Sequence, residues 1–142
     1  MSELKIKGVI VYDTSHGNTQ KIAETITETL RGSGEEADLF KVNEAKKLSA
    51  KDYDFLVLGS PTKFGTMSFA IKFFLGKIKS EEWVNKSFAA FDTEKPENIE
   101  RARIENKEWS AAEKIAQKLR EKKMKQLLPV LKASVLGQKG PL

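Results

Sequence analysis

Short apolar runs alternate with amphipathic stretches along this chain. Gly8-Val9-Ile10-Val11-Tyr12 is apolar at consecutive positions, the pattern of a strand covered on both faces. Beyond a polar loop, Ile22, Ala23, Ile26 and Leu30 recur at helical spacing, and Gly32 stands where a helix C-cap belongs. Residues 37–42 alternate only partly, as an edge strand would, and Asn43 is placed to cap a short helix ending near Leu48. Phe55-Leu56-Val57-Leu58-Gly59 reads as another buried strand, stopped by Ser60-Pro61.

After the loop 60–68, Met67, Ile71, Phe74, Leu75 and Ile78 share one helix face. A fourth strand, residues 87–91, leads into Asp92-Thr93 and a long charged stretch, residues 94–108, of the kind that is usually functional or disordered. Ser110 and Glu113 form a capping box that starts a helix burying Ala112, Ile115, Ala116 and Leu119, with Trp109 as a staple before it. Residues 129–136 give the last strand pattern. The order β-α-β-α-β-α-β-α-β predicts one α/β domain over residues 1–142 with a parallel sheet.

Composition narrows the chemistry. The 142 residues contain no cysteine and one histidine, His16, so disulfides, thiolate metal sites and histidine clusters are excluded. Redox chemistry in such a chain needs an organic cofactor. No apolar run approaches the roughly 20 residues of a membrane-spanning helix, and residues 1–8 lack a leader pattern, so a cytoplasmic location is expected. The net charge of +5 suits an anionic cofactor, an acidic protein or nucleic acid. Lys114, Lys118 and Lys122 lie opposite apolar residues, as on an ordinary solvated helix face. The stripe of arginines and aromatics expected for nucleic acid is missing.

The loop after the first strand, Thr14-Ser15-His16-Gly17-Asn18-Thr19, is rich in hydroxyls and small residues and opens a helix. Backbone N–H groups and the helix dipole converge there, which makes it an anion site. Neither the GxxxxGK[ST] nor the GxGxxG pattern is present. The loop resembles that of the flavodoxin family, whose form is T/S-x-T/S-G-N/S-T, with His16 in place of the commoner hydroxyl residue. Its Tyr12-Asp13-Thr14 start is similar to that of small archaeal flavodoxins and of flavodiiron-type flavodoxin domains.

The resemblance implies a flavodoxin-like doubly wound sheet of five parallel strands in the order 2-1-3-4-5, with FMN at the switch point between strands one and three. It assigns the FMN phosphate to Thr14, Ser15, His16, Gly17, Asn18 and Thr19. Pro61-Thr62-Lys63-Phe64-Gly65 resembles the second flavin loop, and the form Pro-Thr-x-Phe-Gly-x-Met is similar to that of flavodoxin-like quinone reductases. Asp92-Thr93-Glu94 resembles the third loop, whose backbone reaches the pyrimidine edge of the flavin. Phe64 is the expected stacking residue, with Trp109 as another aromatic candidate.

Three departures from the family carry expectations. The chain ends about where the family's last helix would begin, so one sheet face near strands one and five is expected to expose an apolar patch; a truncated chain, a homodimer or the stretch 94–108 folding over it would each account for this, and the homodimer is favoured. Lys63 and Lys95 replace the acidic surroundings common in the family, which favours an anionic reduced flavin and a higher potential. His16 is read equally as a cationic phosphate ligand and as a packing residue.

The leading function is an FMN-binding carrier passing electrons between redox partner proteins, acidic ones among them, with no catalytic side chain and no metal. The alternatives are an NAD(P)H-dependent quinone or flavin reductase, and a phosphate- or nucleic-acid-binding module without flavin.

Overall fold

The structure is a computed structural model and describes residues 6–14, 17–63, 66–94 and 110–134. Four strands, β1 (Lys7–Tyr12), β2 (Glu36–Lys41), β3 (Phe55–Pro61) and β4 (Ser87–Glu94), pair in parallel in the order β2-β1-β3-β4. The fifth position is shared by two pieces, β5 (Lys125–Gln126) and β6 (Leu131–Ser134), which both run parallel to β4. The order 2-1-3-4-5 therefore holds, with β2 at the edge.

Side chains of the central strands alternate between two apolar clusters. Val9, Val11, Leu56, Leu58, Phe88 and Ala90 face α2 (Phe69–Lys77) and α4 (Ala111–Glu121). Ile10, Tyr12, Phe55, Val57 and Phe91 face the side of α1 (Asn18–Gly32). Burial on both faces is why these strands read as continuous apolar runs rather than alternating ones. A four-residue helix, α3 (Ser80–Trp83), buries Trp83 before β4.

Several boundaries differ from expectation. Helix α1 runs through Gly32, and it is Gly34, at φ +91, that takes the left-handed turn. The helix expected from Asn43 is a 3-10 turn, Val42–Glu44, capped by Lys41, whose backbone N–H is bonded by Glu44. Strand β3 takes in Ser60 and Pro61 and ends there; the missing N–H of Pro61 is harmless, and just past the strand Thr62 N–H donates to Thr93 O at 2.9 Å.

Strand β4 likewise continues through Asp92, Thr93 and Glu94, all buried, so these residues belong to a strand end and not to a loop. The last strand begins at Lys125, not at residue 129. Between its two pieces it spends five residue steps, Gln126 to Leu131, where β4 spends three, Phe88 to Phe91. The excursion contains Pro129, which has no N–H to give the ladder.

Helix α1 covers only part of its face of the sheet. Beside it lies an apolar groove of about 790 Å³ lined by Ile26, Leu30, Val57, Phe91, Leu128 and Leu131. Leu127, Leu128 and Leu131 are each at least half exposed. The expected apolar patch is thus present. Among the described residues no helix is long and apolar enough to cross a membrane.

Candidate functional site

The carboxyl ends of β1, β3 and β4 lie side by side. Tyr12 pairs with Gly59 and Pro61 with Thr93, and beyond the strands Asp13 N–H donates to Gly59 O at 3.1 Å. Three of the segments singled out in the sequence therefore meet at one edge of the sheet, where ligands bind in open α/β folds.

The first segment is built around Gly17. Its φ of +90 is left-handed, and it stands at the N-cap of α1 without a side-chain hydrogen bond to the helix. A residue with a Cβ would be strained there, although open space surrounds the position. Thr14 Oγ1 accepts from Gly17 N–H at 2.9 Å, and Asp13 Oδ1 accepts from Thr14 N–H at 2.9 Å, so the turn organises itself. The first turn of α1 holds no acidic residue.

This helix start contrasts with the other two long helices. Ser68 caps α2 by accepting from Ile71 N–H at 3.4 Å. The first amides of α4 are taken in sequence: Ala111 by Thr62 Oγ1 at 3.1 Å, Ala112 by Asp92 Oδ2 at 2.9 Å, and Glu113 by Ser110 Oγ at 3.1 Å. Among the described residues, α1 is the one of the three whose N-cap residue makes no side-chain hydrogen bond to the helix, an arrangement that suits a phosphate. The residues fit the anionic group of a flavin nucleotide.

The predicted contacts fall into distinct environments. Thr14 and Gly17 are half-buried on the loop, while Asn18 and Thr19 are buried. Thr19 Oγ1 lies 3.0 Å from Thr93 Oγ1, a buried bond that ties the start of α1 to the end of β4. Pro61 and Thr62 are half-buried and Lys63 is exposed. Lys63 and Thr66 close a tight antiparallel turn through two backbone bonds of 2.8 and 3.0 Å. Ser15, His16, Phe64 and Gly65 lie outside the described residues, as do Lys95 and Trp109.

Asp92 and Thr93 point to opposite faces of the sheet, as successive strand residues must. Thr93 reaches Thr19, whereas the Asp92 side chain serves α4. Glu94 shares the Asp92 face. Asp92 Oδ1 and Glu94 Oε2 are buried without a hydrogen-bond partner. Burial raises the Asp92 carboxyl above its ordinary value; burial, with Asp92 beside it, pushes Glu94 up to about 8, with Lys132 opposing. With the Asp92 side chain on the α4 face, it is Thr93 that this strand end turns toward Thr19.

Sequence reasoning missed Ser60. It is fully buried, donates to Pro61 O at 2.8 Å and accepts from Ser68 N–H at 3.0 Å, cinching the ends of the 60–68 loop. Ser-Pro read only as a strand stop; the signal lay in Ser68, a cap residue directly before an apolar helix.

The model of the flavodoxin domain family matches residues 9–126, from β1 through β5. The chain belongs to that family. Flavodoxin domains are flavin-binding electron-transfer units, and the matched span includes the α1 start and the β3 and β4 ends described above. The chain is 38% identical over 78 residues to a flavodoxin of Aquifex aeolicus, a match covering 54% of this chain and 42% of that protein.

An NAD(P)H dehydrogenase (quinone) of Paraburkholderia phymatum is 31% identical over 87 residues, or 47% of this chain and 44% of that protein. The chain thus matches less than half the length of these curated relatives. A flavodoxin from the domain Archaea superposes with a TM-score of 0.77, covering 92% of this chain and 85% of that one at 24% identity, a likeness of fold.

Proposed function

We propose that this flavodoxin domain binds FMN and passes electrons between redox partner proteins. The observation that carries the reading is the start of α1: a 15-residue helix, opened by left-handed Gly17, with neither a side-chain cap nor an acid in its first turn. In this reading the residues 14–19 hold the phosphate, with the Thr14 hydroxyl free to donate outward because its oxygen already accepts from Gly17. Thr19 has the same freedom when Thr93 donates to it. In the same reading Pro61, Thr62, Lys63, Phe64 and Gly65 support the ring, and the backbone of Asp92, Thr93 and Glu94 reaches its pyrimidine edge.

FMN supplies the electron chemistry, and the chain supplies binding, charge and a place to dock. Exposed Lys63 puts a positive charge on the ring loop and favours the negative charge that arrives on reduction. The same reading takes a second copy of the chain as the cover of the apolar groove beside α1.

Fluorescence-quenching titration of the apoprotein with FMN and with riboflavin, which lacks the phosphate, tests the site. FMN is expected to bind at least tenfold more tightly, a difference of about 1.4 kcal/mol. Equal affinities, or no FMN binding at micromolar protein, would overturn the reading.

A second reading, an NAD(P)H-dependent quinone reductase, is favoured by the likeness to the quinone dehydrogenase and by Pro61-Thr62-Lys63-Phe64-Gly65-Thr66-Met67. Steady-state oxidation of NADH or NADPH with a quinone separates the two.

A further inference from the structure

Helix α2 buries Ile71 and Leu75 toward the sheet and turns Phe69, Lys72 and Phe73 outward. Phe69 is 77% exposed and Phe73 71%, the two most exposed large apolar side chains among the described residues. They stand four residues apart, so their rings lie on one stripe of the helix. Neither ring is needed by the core, and phenylalanine is a poorer helix former than the lysine or leucine that would serve an ordinary solvated position.

Phe73 also forms one wall of a groove of about 230 Å³ between α2 and the segment after β2, with Ala45, Leu48, Phe74 and Trp83 around it. Exposed aromatics beside an apolar recess are the arrangement found at the energetic centre of protein interfaces. The surrounding charge is mainly positive. From Thr62 to Lys79 the sequence holds four lysines, Lys63, Lys72, Lys77 and Lys79, and no acid. Lys46 and Lys77 rim the groove, against the single acid Glu82.

We propose that the outer face of α2 and the adjoining groove dock an acidic redox protein, with Phe69 and Phe73 as the apolar anchors and the lysines steering its approach. The inference rests on the electron-transfer reading. Its position accords with that reading, since Phe69 follows the Ser68 cap directly and the turn closed by Lys63 and Thr66 lies just before it. A partner seated there stands next to the ring loop. A membrane would meet a convex apolar face. A recess beside the aromatics fits a partner's side chain better.

The test is stopped-flow electron transfer from a reduced acidic [2Fe–2S] ferredoxin to the FMN-loaded protein across a salt series. The rate is expected to fall steeply with ionic strength and to drop about tenfold in Phe69→Ala/Phe73→Ala. Reduction of the same variant by dithionite, and its FMN quenching, are expected to match the parent, which keeps a folding or flavin defect apart from a docking defect.

A ferredoxin rate independent of salt or unchanged in the variant overturns the proposal. So does a double variant whose one lost property is binding to vesicles of anionic phospholipid. Should the chain take no FMN, the quenching titration registers the failure of the parent reading by itself. Calorimetric binding of ferredoxin to the unloaded chain, lost in the variant or not, then decides the surface.

Discussion

Glu94 is 2% exposed at the end of β4 and carries a buried oxygen with no partner, next to Asp92 in the same condition. Its carboxyl is raised from 4.5 to about 8 by burial first and by its neighbour second. The folded protein therefore keeps a proton that the unfolded chain has released between those values. Stability is full below about 4.5 and is lost as pH rises toward about 8, with a slope of up to about 1.4 kcal/mol per pH unit for one proton. We expect the urea midpoint of the apoprotein to fall from pH 5 to pH 8 and Glu94→Gln to remove most of that slope. A wild-type midpoint that stays level, or rises, contradicts the buried pair.

At the scale of elements, the central strands are matched through glycine and phenylalanine. Gly8 pairs with Phe55 and Gly59 with Phe91, and in both cases the ring lies over the glycine so that a Cβ would collide with it. The close approach needs glycine for space, since neither position has a left-handed φ. Gly59→Ala is expected to destabilise by about 1–3 kcal/mol, with the strand that leads into the site displaced. Urea denaturation measures this, and Phe91→Leu in the same chain should return part of the loss, because the two side chains compete for one volume. A Gly59→Ala chain as stable as the parent would mean that the ring moves aside freely.

At the scale of the molecule, the open groove beside α1 exposes Leu127, Leu128 and Leu131 together. Contiguous apolar surface of this kind marks interfaces, and a second copy brings the same lining to meet it. Sedimentation velocity is expected to show concentration-dependent dimers that Leu127→Glu/Leu128→Glu reduces to monomers; a parent chain that stays monomeric at high concentration removes the homodimer from the reading. The sequence by itself determined the α/β alternation and the buried strands, because hydrophobic periodicity is a local property; the hydroxyl-glycine pattern of residues 14–19, on which the proposed anion site rests, is local too. It also placed β2 at the edge, since partial alternation records burial on unequal faces. Only the tertiary structure decided what Asp92, Thr62 and Ser60 do. Their partners, Ala112, Ala111 and Ser68, stand 20, 49 and 8 residues away, and such bonds leave no periodic trace along the chain. The same holds for β4, whose polar Asp92-Thr93-Glu94 end looks like a loop until neighbouring elements bury it. The contrast between the caps is likewise tertiary: every helix start has free amides, and the fold brings Thr62 and Asp92 to those of α4 while the N-cap of α1 is a glycine.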